Sequence, residues 1–230
     1  MYILYLCINA AALQMINNQI LASKLLETGA VRIQPDKPFT WASGLKSPIY
    51  CDNRLLLSHP DIRTSLVDLM VKVIKDFEFF DTVAGVATAG IAYGALVAER
   101  LKLPFAYVRS KAKDHGRQNL IEGEISPNAT VLVIEDLIST GMSSLQAVEA
   151  VRQVPAEVVG VLAIFQYGLP ASKKAFENAD CAYRTLTDFP TIIKVAAEKK
   201  LIEPHHMDVL SNWSSDPQKW SEQYLSTTNA

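Results

Sequence analysis

Runs of apolar residues along the chain switch between helical, alternating and unbroken spacing, and each switch predicts an element. Ile20, Leu21, Leu25 and Leu26 fall at helical spacing just after Met15, so a helix is expected there. Val31–Cys51 is broken by Gly44 and Pro48 and reads as short strands around a turn. Ile62, Leu66, Leu69 and Val73 mark an amphipathic helix over 59–80, with Ser58 as its cap and Pro60 in its first turn. Unbroken apolar runs at 82–87, 104–108, 131–134 and 158–165 predict strands buried on both faces, and 181–186 adds another. Helices are expected after these strands at 89–101, from Leu145 through Val148 and Val151, at 171–178, 189–200 and 204–213. A closing helix and a frayed end are expected around Trp220. Strands alternating with helices imply an α/β fold, a mostly parallel central sheet flanked by helices, with any site at the strand carboxyl ends.

Polar residues at three strand ends narrow the chemistry. The run at 131–134 is followed by Glu135 and Asp136, then Leu137, Ile138 and the turn Ser139-Thr140-Gly141-Met142-Ser143. A helix start with free N–H groups and hydroxyls suits a phosphate, and the two acids suit ribose hydroxyls. A plain helix cap needs one Ser or Asp, not two acids and a five-residue turn. The 82–87 run ends in Thr88-Ala89-Gly90; no Lys follows Gly90, so a P-loop is excluded, and no G-x-G-x-x-G occurs. After 104–108 comes a polar, basic stretch, 109–120, carrying Arg109, Lys111, Lys113 and His115. About a dozen structureless residues inside a domain is unusual unless functional. Arg109 and Lys113 suit anion clamping, and His115 suits pairing with an oxyanion or moving a proton.

These stretches carry a resemblance. The segment 131–144 resembles the phosphoribosyl pyrophosphate (PRPP) signature of the type I phosphoribosyltransferases. Phe39-Thr40-Trp41-Ala42-Ser43-Gly44-Leu45-Lys46-Ser47-Pro48-Ile49-Tyr50 is similar to the N-terminal hood of the orotate phosphoribosyltransferases, and the R-x-x-x-K-x-H-G of 109–116 to their catalytic loop. The resemblance runs from about Leu21 to Trp213. It implies the type I fold with a small hood, and transfer of phosphoribose from PRPP to orotate in pyrimidine biosynthesis. It assigns Lys113, His115 and Asp136 to catalysis. It assigns PRPP binding to Arg109, Lys113, His115, Glu135, Asp136 and the run Leu137, Ile138, Ser139, Thr140, Gly141, Met142 and Ser143. Orotate falls to Ser139, Lys46 and Tyr50, with Cys51 beside them, and the diphosphate to Ala87–Gly90. Mg²⁺ carried by the substrate is the implied cofactor, with no dedicated protein metal site, and the basic loop reaching across a homodimer is the implied assembly. The chain departs from some relatives in having Ala42, Ala89 and Ser110 where they carry Lys, and no Arg near Gln166 to read a carboxylate.

Composition removes other classes. At 230 residues the chain is long enough for one large domain with a substantial core. The expected division is an extension over 1–14, a hood over about 15–58 and a core over about 59–215, the domain ending at 230. A net charge of −2 supplies no basic field for nucleic acid. Three cysteines, widely spaced, form neither a disulfide framework nor a zinc motif, and imply a reducing, cytoplasmic setting. Residues 1–14 are apolar but too short to span a bilayer, and Ala10 and Ala12 lack the charged region a signal peptide needs, so Met15 is the expected start. His205-His206 has no spaced partner and reads as surface. A purine phosphoribosyltransferase is disfavoured by the hood and the His115 loop. A nonenzymatic PRPP-sensing regulator has no use for the basic loop, and a generic flavodoxin-like sugar-phosphate module would lack both features.

Overall fold

The computed structural model describes residues 10–110 and 120–228, the side chains of 10–16 and 228 excepted. Helix α1 (Ala10–Glu27) begins before Met15 rather than after it. Residues 10–15 contain no Gly, Pro or capping residue, and Ala, Leu, Gln and Met are all good helix formers, so nothing stops the helix at Met15. Strand β1 (Val31–Ile33), strands β2 (Phe39–Thr40) and β3 (Lys46–Ser47), and strand β4 (Ile49–Cys51) make the hood. β1 pairs antiparallel with β4, and β2 with β3 around Gly44, whose φ of 87° suits a residue without Cβ. A 3₁₀ segment, Asn53–Ser58, follows, capped by the Asp52 carboxylate accepting the Arg54 N–H.

Helix α2 (Pro60–Val73) opens with Pro at its start as expected, but Ser58 is not its cap. Ser58 ends the 3₁₀ segment, and His59 stands at the cap position without a side-chain bond. The helix also ends at Val73, seven residues short of the expected Phe80. Phe77 has left the helix to lie against Gly160, and its ring sits 5.9 Å from the Arg184 guanidinium. The chain then turns so that Asp81 accepts the Thr130 N–H and leads into the sheet.

The rest is strand β5 (Thr82–Val86), helix α3 (Ala89–Leu101), strands β6 (Phe105–Val108), β7 (Ile121–Glu122) and β8 (Thr130–Ile138), helix α4 (Met142–Arg152), strand β9 (Glu157–Gln166), helix α5 (Pro170–Asn178), strand β10 (Tyr183–Asp188), and helices α6 (Phe189–Glu198), α7 (His206–Ser215) and α8 (Pro217–Thr228). Six strands form one sheet in the order β10-β9-β8-β5-β6-β7, parallel except that β7 runs against β6. The two-residue β7 was not legible in the pattern; it exists because the chain leaves β6 and returns beside it, with the Arg109 N–H donating to Leu120 O at 2.8 Å. Alternate residues of each central strand feed opposite faces. Leu132, Ile134, Leu162 and Ile164 pack with α1, α2, α3, α6 and α7, whereas Val131, Val133, Val161 and Ala163 pack with α4 and Phe176 of α5. Among the described residues no helix is long and apolar enough to cross a membrane.

β8 runs four residues beyond the expected end at Ile134, so Glu135 and Asp136 lie within the strand rather than after it. β9 holds it there, pairing Glu135 with Ala163, Leu137 with Phe165 and Ile138 with Gln166. On the other side the β5 register stops at Gly85–Ile134, and the first turn of α3 takes over. A Cβ on Gly90 would lie 2.5 Å from Ile134 O, and one on Gly94 2.8 Å from Phe105 Cε2. β5 is therefore where the sheet grows in both directions, and the crevice at its carboxyl end is the place such sheets bind ligands.

Gly90→Ala tests this contact. In an exposed helix the change would stabilise by up to about 1 kcal/mol. Here the opposing atom is backbone, and overpacking should destabilise by about 1–3 kcal/mol in urea unfolding. A stabilised variant would mean that α3 does not bear directly on β8.

Candidate active site

The crevice holds two adjoining clefts. The first, of about 370 Å³, has Glu135, Asp136 and Leu137 of β8 as its floor, Ser139 and Ser143 at one end, the turn Ala87-Thr88-Ala89 at another, and Cys51, Asp52 and Arg54 as a wall from the hood. The Ala87–Thr88 peptide is cis. The second cleft, of about 300 Å³, shares Cys51, Leu137 and Ser139 and adds Trp41, Ala42, Ser43, Tyr50 and Tyr167. One is polar and acidic, the other narrow and aromatic-walled.

Glu135 and Asp136 are successive residues of β8, and both line the first cleft. Glu135 is buried, 5% exposed; its Oε1 accepts the Asp136 N–H at 3.0 Å and its Oε2 the Ser144 hydroxyl at 3.2 Å. Burial, then the neighbouring Asp136 charge, pushes the Glu135 carboxyl well above its ordinary range. Asp136 is also raised, by burial above all. Asn53, fully buried in the hood, donates from Nδ2 to Asp136 O at 2.7 Å, and the Tyr93 hydroxyl of α3 donates to Asn53 O at 2.6 Å. Hood, α3 and β8 are thus locked together beside the acids. Asp52 is lowered, chiefly by the hydrogen-bonded Arg54 guanidinium.

In the turn after β8, Gly141 has φ 84° and a Cβ there would meet Phe176 Cε2 at 2.9 Å, so the turn tightens against α5. It is the cap residue of α4, which opens with no side-chain cap, leaving first-turn N–H groups aimed at the mouth. Thr140, Met142 and Ser143 are exposed around it. Ile138 is fully buried in the core and its carbonyl accepts the Tyr167 N–H at 3.1 Å.

In the second cleft Trp41 lies against Tyr167 with ring centroids 5.0 Å apart, and Tyr167 in turn packs edge-on against Phe165 and Trp213. Tyr50 is held by Phe39 at 5.6 Å and by the Arg32 guanidinium at 5.2 Å. Burial raises the Cys51 thiol and the Tyr167 phenol, so both remain neutral walls.

The structure separates the expected site residues into three sets. Glu135, Asp136, Leu137, Ser139, Ser143 and Tyr50 line the clefts. Lys46 does not; its ammonium donates to Thr40 Oγ1 at 2.8 Å on the hood hairpin. Arg109 leaves β6 with its guanidinium 3.4 Å from Glu122 Oε1 and lines neither cleft. Lys113 and His115 lie outside the described residues. Asp52, Asn53, Arg54, Ser43 and Tyr167 were missed. Tyr167 had a signal, being the residue after a parallel strand's carboxyl end; the 52–54 turn had none, because nothing local says it folds over a strand 83 residues away.

The surface reading holds for His205, which is exposed, but not for His206. His206 is buried, 8% exposed, with Nδ1 accepting the Glu203 N–H at 3.1 Å and Nε2 3.1 Å from Asp36 Oδ2. With Nδ1 an acceptor, Nε2 carries the proton and donates to Asp36. That arrangement fastens α7 to the hood and withholds the nitrogen a metal would use, although His205 stands close by.

Raised acids make the unliganded site unstable toward alkali. A carboxyl whose folded-state pKa exceeds its unfolded value adds stability below the unfolded value, and loses it as pH rises through the folded one. Glu135→Gln, neutral and able to keep both hydrogen bonds, should therefore raise the Tm of the ligand-free protein more at pH 7.5 than at pH 4.5. Equal shifts at both pH values would show that Glu135 is not held protonated by its surroundings.

Comparison with known proteins identifies the family. Residues 55–198 match the phosphoribosyl transferase domain family. An orotate phosphoribosyltransferase of Porphyromonas gingivalis is 49% identical over 203 residues, covering 88% of this chain and 97% of the relative. One of Cutibacterium acnes is 51% identical over 210 residues, covering 90% and 97%. The crystal structure of orotate phosphoribosyltransferase from Aeropyrum pernix, 28% identical, superposes with a TM-score of 0.69 over 80% of this chain and 99% of that one. Identity near one half across almost the whole length, on a sheet whose mouth carries the acid pair and the Ser139–Ser143 turn, makes the chain a member of the orotate phosphoribosyltransferase family.

Proposed function

We propose that the protein transfers the 5-phosphoribosyl group of PRPP to N1 of orotate, giving orotidine 5′-monophosphate and diphosphate. The observation that carries this reading is the pair of adjoining clefts: a polar one over Glu135 and Asp136, opening at Leu137 and Ser139 into an aromatic-walled slot. Reaction at C1 of ribose needs a sugar in the first and a flat base in the second, with the bond between them made at the shared wall.

Each group then has a task. The hydroxyls of Ser139 and Ser143 and the N–H groups of the first α4 turn receive the 5′-phosphate. Asp136 accepts from the ribose hydroxyls, backed by Glu135, whose own hydrogen bonds to Ser144 and the Asp136 N–H keep it from turning away. As the C1–O bond to diphosphate lengthens, positive charge grows on the ribose ring, and a carboxylate fixed beneath it stabilises that charge without reorganising. Trp41, Tyr50 and Tyr167 position the pyrimidine, and Ser43 and Ser139 offer hydrogen bonds to its polar edge. The enzyme contributes position and field rather than a nucleophile.

The Asp52 and Asp136 carboxylates are hard oxygen donors suited to Mg²⁺ through its waters. Magnesium on the diphosphate would neutralise leaving-group charge. Lys113 and His115 of the basic loop close over that leaving group and exclude water, with the loop supplied across a homodimer. The hairpin stem at Arg109 and Leu120 supports this, since it brings both ends of the loop to one point on the sheet edge.

An initial-rate assay following orotate consumption with PRPP and Mg²⁺ tests the reaction. Turnover is expected with orotate and not with adenine, guanine or hypoxanthine; purine turnover would overturn the base assignment. Lys113→Ala should lower kcat by about a hundredfold, the usual scale for losing one electrostatic contact to a transition state. Its Tm should not change. Undiminished kcat would remove the loop from the chemistry.

A further inference from the structure

We propose that Arg54 is a diphosphate-binding residue of the PRPP site, held on Asp52 until substrate arrives. The proposal rests on the transferase reading above and adds a residue that neither the acid pair, the phosphate turn nor the basic loop includes.

The first cleft is poorly matched to its charge. PRPP brings a phosphate and a diphosphate, yet the lining carries Glu135, Asp136 and Asp52. Among the described residues that line it, Arg54 is the single cation. The phosphate end has its own donors in Ser139, Ser143 and the uncapped α4 turn. The opposite turn, Ala87-Thr88-Ala89, offers a hydroxyl and backbone but no charged side chain. Among the described lining residues the diphosphate side therefore has no cation but Arg54, which stands on the wall of the same cleft.

Its base is fixed while its head is free to move. Asn53, the preceding residue, is wholly buried and tied to Asp136 O, to the Tyr93 hydroxyl and to the Cys51 thiol, whose Sγ lies 3.4 Å from Asn53 Oδ1. The Arg54 backbone therefore keeps a set distance from the acid pair. The guanidinium itself makes a two-point contact with Asp52, Nε to Oδ1 at 2.6 Å and Nη2 to Oδ2 at 2.8 Å. The Arg54 side chain is 58% exposed, so water and an incoming anion can both compete for the guanidinium. A diphosphate carries more charge than one carboxylate and presents the same forked oxygens that a guanidinium fits. Exchange of partner frees Asp52 to accept from water around a diphosphate-bound cation.

Binding of inorganic diphosphate, PRPP and ribose 5-phosphate, each with Mg²⁺, measured by calorimetry on the full chain, decides this. Arg54→Gln should weaken diphosphate and PRPP at least about tenfold, the scale of one charge-assisted contact. Ribose 5-phosphate, which lacks the diphosphate, should bind within about twofold of wild type, and Arg54→Lys should recover part of the loss. Asp52→Asn keeps the 3₁₀ cap through its amide oxygen but releases the guanidinium; compared without Mg²⁺, where Asp52 has no cation to serve, it should bind diphosphate as well as or better than wild type does under the same condition. If Asp52→Asn and Arg54→Gln lose diphosphate affinity equally without Mg²⁺, the pair is a scaffold and the proposal is wrong. If Arg54→Gln binds all three ligands as wild type does, the proposal alone fails. Wild-type protein that binds neither PRPP nor diphosphate would overturn the transferase reading and this residue's role with it.

Discussion

Two neighbouring carboxyls have to be kept at the end of a buried parallel strand, and much of the structure around them exists to tolerate that. Burial opposes ionisation of both Glu135 and Asp136. β9 prolongs β8 past the point where β5 stops, so the acids stay in a ladder that satisfies their backbone. Ser144 and the Asp136 N–H occupy the Glu135 oxygens. The first turn of α3 covers the side that β5 has vacated, at a separation only Gly90 permits. The resulting site holds two carboxyls in surroundings that resist their ionisation.

The hood is best understood as part of this arrangement and not as an appendage. Its short strands bury little by themselves. They are held from below by Asn53 on Asp136 O, from behind by His206 on Asp36, and from the side by Ser221 of α8, whose hydroxyl accepts the Lys46 N–H at 2.9 Å. Trp41 completes the attachment by packing on Tyr167 and Trp213, which ties the second cleft to α7, 172 residues later in the chain. A small unit fastened at so many separate points keeps the aromatic walls in register with the acids, and that registration is what lets two clefts share Cys51, Leu137 and Ser139.

Much of this was open to inspection in the residue pattern. The buried strands, the helices that follow them and the acid-then-hydroxyl turn are local features, because their periodicity and turn chemistry act over a few residues. Errors arose where a distant partner decided a local end. Helix α2 stops at Val73 because Phe77 is drawn to Gly160, and β8 continues because β9 lies beside it. Ser58 lost its capping place to a 3₁₀ segment stabilised by Asp52. Lys46 had the right chemistry for a carboxylate but stands on the hairpin with Thr40, outside both clefts. His206 looked like a surface residue until α7 was seen against the hood.

The amino-acid sequence by itself determined the alternation of strand and helix, the acid pair with the hydroxyl-rich turn after it, and the family, since each is written in contiguous residues whose preferences are short-ranged. Only the tertiary structure decided that Asp52 and Arg54 share a cleft with Glu135 and Asp136, that Tyr167 walls the slot, and that His206 pairs with Asp36. Those meetings come from closing the hood over strand ends far along the chain. The energy of such contacts depends on geometry that no local spacing specifies.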